Sequence, residues 1–380
     1  MSKKDYEIDE DIIRTWSVYI PKEAVAEITK TLRSKWINTG KIERKLREKA
    51  CRKWGFPYCV AVNSCTSALR ASLAMLGVGS GDEVISTPFT FIATNTAILE
   101  QGAKPIFADI KYEDLNLNPK SIEEKITKKT KAIIIVHYGG NPADLDEIRK
   151  IGKKHGVPII EDAAHAMGSK YKGKFIGEIG DIVCFSLQVV KIITSGDGGL
   201  IATSNKEYYE KLKKIVWYGI NREDKRMSLL DPLPESFQGD TLGFKYNMND
   251  IVATLACVGV DYFNEAASRR RIIGERYRKE LTGCKKIKLM EYYHDRAPNY
   301  QMFPVHVENR IRFAKYLRDH NIMVRINNRR NDIYPMFGPK RSDLPITERA
   351  DSDVVLLPIH ADLTDEQVSL VIQKVKDAQK

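Results

Sequence analysis

No paired C-x-x-C spacing occurs among the six cysteines, Cys51, Cys59, Cys65, Cys184, Cys257 and Cys284. Scattered in this way they offer neither a zinc-ligand set nor the framework of a small disulfide-stapled domain. The expectation is buried or incidental thiols and no metal site. Long apolar runs are missing too: stretches such as 131–137 are strand-sized and fall short of a membrane span. The first residues, Met1-Ser2-Lys3-Lys4-Asp5-Tyr6-Glu7, hold no apolar segment of the kind that opens a secretory signal. The reading is therefore a cytoplasmic protein with no membrane partner. No repeat or low-complexity tract stands out, and no helix-turn-helix, zinc-finger or RNP-like sequence occurs. The net charge of +11 is spread along the chain, apart from Arg269-Arg270-Arg271 and the stretch 325–330. That tilt is read as attraction for an anionic small molecule, not for nucleic acid.

What is present is a chain of 380 residues, 43% apolar and 29% charged, long enough for a large core and two domains. Apolar residues at helical spacing run from Pro21 to Trp36 and again from Lys41 to Trp54. From Tyr58 the texture changes to short apolar runs alternating with helical stretches. Strands are expected at 58–62, 83–87, 105–110, 132–137, 158–162, 182–187 and 200–203, with helices at 67–76, 95–101, 121–126 and 145–155 between them. Asp144 can cap the last of these helices and Gly156 can end it. Strands alternating with helices predict an α/β fold with a mostly parallel seven-stranded sheet. Residues 224–243 read as a loop, and 243–250 opens a helix expected to run to about Tyr262. A strand at 300–307 and helices at 311–320 and 365–378, the last with Thr364 and Gln367 at capping-box spacing, predict a smaller α+β domain. The expected division is 1–250 for the large domain with its N-terminal helical segment and 251–380 for the small one.

In such sheets ligands bind beyond the carboxyl ends of the strands, and the chemically interesting residues fall there. A lone lysine is most often a solvated surface charge. Lys191, however, follows Phe185-Ser186 and precedes Gly196-Asp197-Gly198-Gly199, with Glu161-Asp162-Ala163-Ala164-His165 upstream. A lysine could form a Schiff base with an aldehyde cofactor, and a strand-end acid could keep that cofactor's ring nitrogen protonated. Asp162 could equally be a helix N-cap. Asn63-Ser64-Cys65-Thr66-Ser67 follows the first strand with the hydroxyls and helix start that a phosphate needs, or that an ordinary cap needs, and Ser186 could add a second hydroxyl. Phe91 could stack on a flat ring with Ala164 opposite, or belong to the core. His165 could bond near a ring hydroxyl, or be structural. The glycines after Lys191 let the chain turn and approach closely.

Taken together, Asn63 to Leu69, Gly81 to Ile85, Thr90 to Thr94, Gly102 to Phe107, Pro142 to Asp146, Glu161 to His165, Phe185-Ser186 with Lys191, and Gly196 to Gly199 resemble the DegT/DnrJ/StrS sugar aminotransferases over about 20–376. The resemblance implies the fold type I of aspartate aminotransferase, a homodimer with sites at the subunit interface, and pyridoxal 5′-phosphate as cofactor. It implies that Lys191 carries the cofactor and moves protons between the donor's Cα and C4′ of the cofactor. It implies further that Asp162 meets the pyridine nitrogen, that Cys65, Thr66 and Ser186 hold the phosphate, and that Phe91 stacks. Asn247 matches a position that reaches the phosphate of the neighbouring subunit. Family dehydratases carry histidine where this chain has Lys191, which favours amino transfer, with glutamate as donor and a nucleotide-linked keto sugar, such as a 4-keto-6-deoxyhexose, as acceptor. Deoxygenation of such a sugar and a ligand-sensing regulator are the alternatives. The chain departs from the frequent Phe-Ser-Phe-His-x-x-Lys-Asn pattern at Leu187, Gln188 and Ile192. In place of a Tyr-x-Pro-Leu-His segment it has 325–337, whose Arg325, Asn327, Asn328, Arg329 and Tyr334 are expected at the substrate. Arg325, Arg329 and Arg330 are either contacts for a diphosphate or plain surface arginines.

Overall fold

A computed structural model describes residues 11–220, 241–326 and 329–378. Helices α1 (Ala24–Arg33) and α2 (Lys41–Trp54) lead into strand β1 (Tyr58–Val62) and helix α3 (Cys65–Met75). Then follow β2 (Glu83–Ser86), α4 (Ala93–Glu100), β3 (Lys104–Phe107), α5 (Pro119–Lys125), β4 (Thr130–Val136), α6 (Leu145–His155) and β5 (Ile159–Asp162). A two-residue hairpin, β6 (Lys170–Tyr171) and β7 (Lys174–Phe175), precedes β8 (Ile182–Ser186), β9 (Gly199–Thr203) and α7 (Lys206–Ile215). The strand order is β1-β9-β8-β5-β4-β2-β3. Pairs from β8 through β3 are parallel, whereas β9 runs antiparallel to both neighbours. The seven expected strands are all present, within a few residues at each end, as is the mostly parallel sheet.

The middle strand shows why. Ala132 to Val136 is apolar at every position and buried, as a strand covered on both faces must be. Ile133 and Ile135 pack with α2, α6 and the first half of α8 (Asp250–Leu281), while Ala132 and Ile134 pack with α3, α4 and α7. The result is a helix–sheet–helix sandwich whose strand ends β1, β2, β4, β5 and β8 open on one edge.

The remaining strands β10 (Ile287–Leu289), β12 (Phe303–Val307), β13 (Arg325–Ile326) and β14 (Val354–Leu357) form a second, antiparallel sheet, and β11 (Arg296–Ala297) adds to the β6–β7 hairpin. Helices α9 (Arg310–Arg318) and α11 (Asp365–Asp377) cover the second sheet together with the far half of α8, and α10 (Pro345–Asp353) leads into β14. The expected capping box on α11 is formed by Thr364 and Gln367.

Two expectations are corrected here. Helix α8 does not stop near Tyr262 but runs on to Leu281. Within the continuation Gly274 is a packing glycine: a Cβ there would lie 2.5 Å from Tyr300 Cδ1. Asp144 stands at the N-terminus of α6 without capping it; its carboxylate goes to Lys111 and Arg296 instead. Most of the loop expected over 224–243 lies outside the described residues. No helix among the described residues is long and apolar enough to cross a membrane.

Candidate active site

The strand ends enclose a cavity of about 660 Å³ lined by Cys65, Thr66, Phe91, Asp162, Ala164, His165, Ser186, Lys191 and Arg325. Residues far apart in sequence are thus gathered where a doubly wound sheet places its ligands.

Lys191 sits on a closed excursion between β8 and β9. The Leu187 amide donates to the Gly198 carbonyl at 2.9 Å, and the Ser195 amide donates to the Leu187 carbonyl at 2.9 Å. Gly196, at φ 84°, makes the return possible. The residue as a whole is half-buried, but its amine end is enclosed, and burial pushes it down to about 8. Cys65 and Asp162 act against that shift, while Arg325 and Arg270 add to it.

Asp162 ends β5 with a buried carboxyl. Burial raises it on balance, against four opposing influences: a bond from Thr94 Oγ1 to Oδ2 at 2.8 Å, one from the Ala164 amide to Oδ1 at 3.1 Å, and the through-space effects of Lys191 and His137. His165 is driven well below its ordinary value by burial, with Lys191 and Arg325 adding to the effect. It stands neutral, and its Nδ1 is buried without a partner among the described residues. The Cys65 thiol is pushed well up, chiefly by burial, so it stays protonated.

Helix α3 begins at this cavity. Ser64 caps it by accepting from the Ser67 amide at 3.0 Å. Cys65 and Thr66 occupy the first helical positions, where backbone N–H groups lack intrahelical acceptors. Gly199 of β9 is pressed against this helix start: a Cβ there would lie 2.8 Å from the Cys65 nitrogen and 2.8 Å from the Phe185 carbonyl. Ser186 Oγ accepts from the Gln188 amide at 3.2 Å, which leaves its proton to donate.

These residues fit pyridoxal phosphate. A helix start flanked by hydroxyls suits a dianionic phosphate. A buried carboxyl on the cavity wall suits a protonated ring nitrogen, and His165, whose Nδ1 has no partner among the described residues, lines the same cavity. An amine brought down to about 8, and so half unprotonated near that pH, suits condensation with an aldehyde. Phe91, 55% exposed despite lining the cavity, presents an open ring face.

A sequence profile of the DegT/DnrJ/EryC1/StrS aminotransferase family matches residues 18–376. The chain belongs to this family. The spore coat polysaccharide biosynthesis protein SpsC of Bacillus subtilis (strain 168) is 32% identical over 375 residues, covering 94% of this chain and 95% of its own. A sugar aminotransferase from Micromonospora echinospora superposes with a TM-score of 0.91 at 27% identity, over 96% of this chain and 100% of that one. A putative sugar aminotransferase from Streptococcus pneumoniae, solved in its PLP-form, gives 0.89 at 27%, over 97% and 98%, and has also been solved in its PMP-form. The family is pyridoxal-phosphate-dependent, and the fold is that of its sugar aminotransferases.

Not every expected site residue lines the cavity. Asn247 lies in a neighbouring cavity of about 830 Å³ with Trp36, Thr39, Arg44 and Trp217. Its Nδ2 donates to Thr39 Oγ1 at 2.5 Å, and its Oδ1 is buried without a partner among the described residues. Arg329 and Tyr334 lie outside the Lys191 cavity, and Asn327 and Asn328 lie outside the described residues. Arg330 is not a free arginine: it is buried, its guanidinium forked on Asp332 at 2.6 and 2.7 Å. Sequence reading passed over Thr94, Gln301 and the Thr15-Trp16 pair, which all line the cavity. Thr94 could have been suspected from its place one turn into the helix after Phe91. Gln301 and Trp16 carry no motif signal.

Proposed function

We propose that this sugar aminotransferase transfers the amino group of glutamate to a nucleotide-linked keto sugar. The observation that carries this reading is the enclosed Lys191 amine, set down to about 8, in one cavity with Asp162, the α3 start and Arg325. Bound pyridoxal phosphate supplies an aldehyde that condenses with amines and a ring that accepts the electron pair released at carbon. The protein's part is positional and acid–base. Cys65, Thr66 and Ser186 bind the phosphate, Asp162 keeps the ring nitrogen protonated, and Phe91 orients the ring. Lys191 Nζ takes the proton from the donor's Cα and later returns one to the sugar carbon. Arg325 and the basic surplus of the chain favour a substrate bearing a diphosphate. A lysine at 191, able to accept and return a proton, favours transfer over deoxygenation.

A second copy of the chain fits the surface around Asn247. Asn247 shares its cavity with exposed Trp36, its amide oxygen has no partner among the described residues, and Leu242 is 81% exposed. We take this face as the homodimer interface, with Asn247 reaching the partner's phosphate. The two domains we propose meet along α8.

The test is product analysis with glutamate and a dTDP- or UDP-linked 4-keto-6-deoxyhexose. Stoichiometric 2-oxoglutarate and an amino sugar are expected, both lost in Lys191→Ala. A deoxygenated sugar without net amine, or turnover that survives in Lys191→Ala, would overturn the reading.

A further inference from the structure

Arg270 is a buried cation with no bonded counter-ion among the described residues. It projects from the middle of α8, is 3% exposed, and its hydrogen bonds run to backbone carbonyls: Tyr300 at 3.4 Å, Gln301 at 3.2 Å and Ile359 at 2.9 Å. Asp362 acts on it only through space, and burial pushes it down to about 10. Enclosing a charge in this way is costly, so the carbonyls it gathers should matter.

Two of them, Tyr300 and Gln301, belong to a segment that holds both arms of the active site. Asn299 Nδ2 donates to the carbonyls of His165 at 2.8 Å and Met167 at 2.9 Å, which fixes the loop after Asp162. Gln301 Nε2 donates to the Val190 carbonyl at 2.9 Å, which fixes the residue before Lys191. Between them Tyr300 takes φ 53°, a left-handed conformation that costs a non-glycine residue energy and persists only where its surroundings impose it. Here the ring is seated over Gly274, the hydroxyl donates to Glu275, and Arg270 holds the carbonyl. The strained residue aims the Asn299 and Gln301 side chains at different loops.

We infer that Arg270 is a positioning residue of the active site: by pinning the Tyr300, Gln301 and Ile359 carbonyls it makes Asn299–Gln301 a rigid spacer between the Asp162–Met167 loop and the Val190–Lys191 loop. All three bonds leave one nitrogen, Nη1, at the far end of the guanidinium; a lysine side chain is one atom shorter, so its ammonium would stop short of carbonyls drawn from two separate segments. The charge has a second effect. Through space, Arg270 and the cavity residue Arg325 favour the neutral form of Lys191, against Cys65 and Asp162.

This inference rests on Lys191 and Asp162 being the cofactor-binding pair, and not on the identity of either substrate. Its test therefore uses neither sugar nor amino donor. The cofactor-free protein is pulsed with acetic anhydride across a pH series and acetylation of Lys191 is read by peptide mass spectrometry; affinity for pyridoxal phosphate is titrated in parallel. In Arg270→Met the rise of Lys191 acetylation should move to higher pH and the affinity should fall about tenfold. In Arg270→Lys the acetylation profile should return and the affinity should not. Gln301→Met, which leaves Arg270 in place, covers the case in which the first variant does not fold. It should stay folded, with a melting temperature lowered only as far as one unsatisfied carbonyl requires, and should weaken affinity about tenfold. Affinity held within about twofold of the parent in Arg270→Met, or in Gln301→Met if only that variant folds, would overturn the inference. Glutamate-dependent turnover can fail in the parent protein without touching either readout.

Discussion

Thr94 Oγ1 donates to Oδ2 of Asp162 at 2.8 Å, with both residues buried. Burial raises the acid, and a neutral acid does not hold a pyridinium proton; the threonine bond opposes that rise. Thr94→Val keeps the shape and removes the donor. The Asp162 carboxyl should then rise further, so its ionised form is lost at higher pH as the solution is acidified. Affinity for pyridoxal phosphate should fall about tenfold near neutrality, with its acid limb displaced upward. Titration of the cofactor across the mildly acidic range checks this, and an unmoved limb would count against the bond's role.

Gly199 offers a second check, on the phosphate end. Any side chain there meets backbone atoms of Cys65 and Phe185 at 2.8 Å, and neither can rotate away. Gly199→Ala should separate β9 from the start of α3 and destabilise the protein by about 1–3 kcal/mol. The thermal midpoint measures that cost. Inorganic phosphate is expected to protect the parent against heat by binding there, and to protect the variant less.

The seven strands were legible because each is a short apolar run bounded by turn residues. Lys41–Trp54 and Leu145–His155 were legible to the residue because a glycine flanks one or both ends. The end of α8 was not, because Gly274 and the arginines are explained by Tyr300 and by the carbonyls around Arg270, partners distant in the chain. The cofactor-end residues were read from local motifs whose spacing the chemistry dictates. Thr94 and Gln301 were missed because their roles consist of a single long-range bond each, which leaves no periodicity. The segment after Arg325 was read as substrate-facing, whereas Arg330 and Asn331 turn inward.

Asn331 gives that inward turn a measurable consequence. Its amide donates to the Pro88 carbonyl at 2.8 Å and its Nδ2 to the Thr90 carbonyl at 3.0 Å, while its Oδ1 accepts from Asn95 Nδ2 at 2.7 Å. The small-sheet segment thereby holds the loop that carries Phe91. Asn331→Leu fills similar space and strands the side-chain partners, at about 1–3 kcal/mol for each group left unsatisfied. We expect a lower melting temperature and faster hydrogen exchange confined at first to residues 88–95. Uniform acceleration across the large sheet would mean that the clamp is not local.

The proposed dimer makes a sharper demand, because Asn247 and Lys191 would serve the same site from different chains. Lys191→Ala and Asn247→Ala should each be impaired alone. Unfolded together and refolded as a mixture, half of the dimers pair one variant with the other. In those mixed dimers one site combines the intact Lys191 of one chain with the intact Asn247 of its neighbour, and the other site carries both lesions. Activity should therefore recover to about a quarter of the parent value. If Asn247 served the Lys191 of its own chain, every site in the mixture would carry at least one lesion, and turnover would stay at the level of the separate variants. The two outcomes differ enough that a single turnover measurement on the refolded mixture separates them, provided the separate variants are refolded alongside as controls.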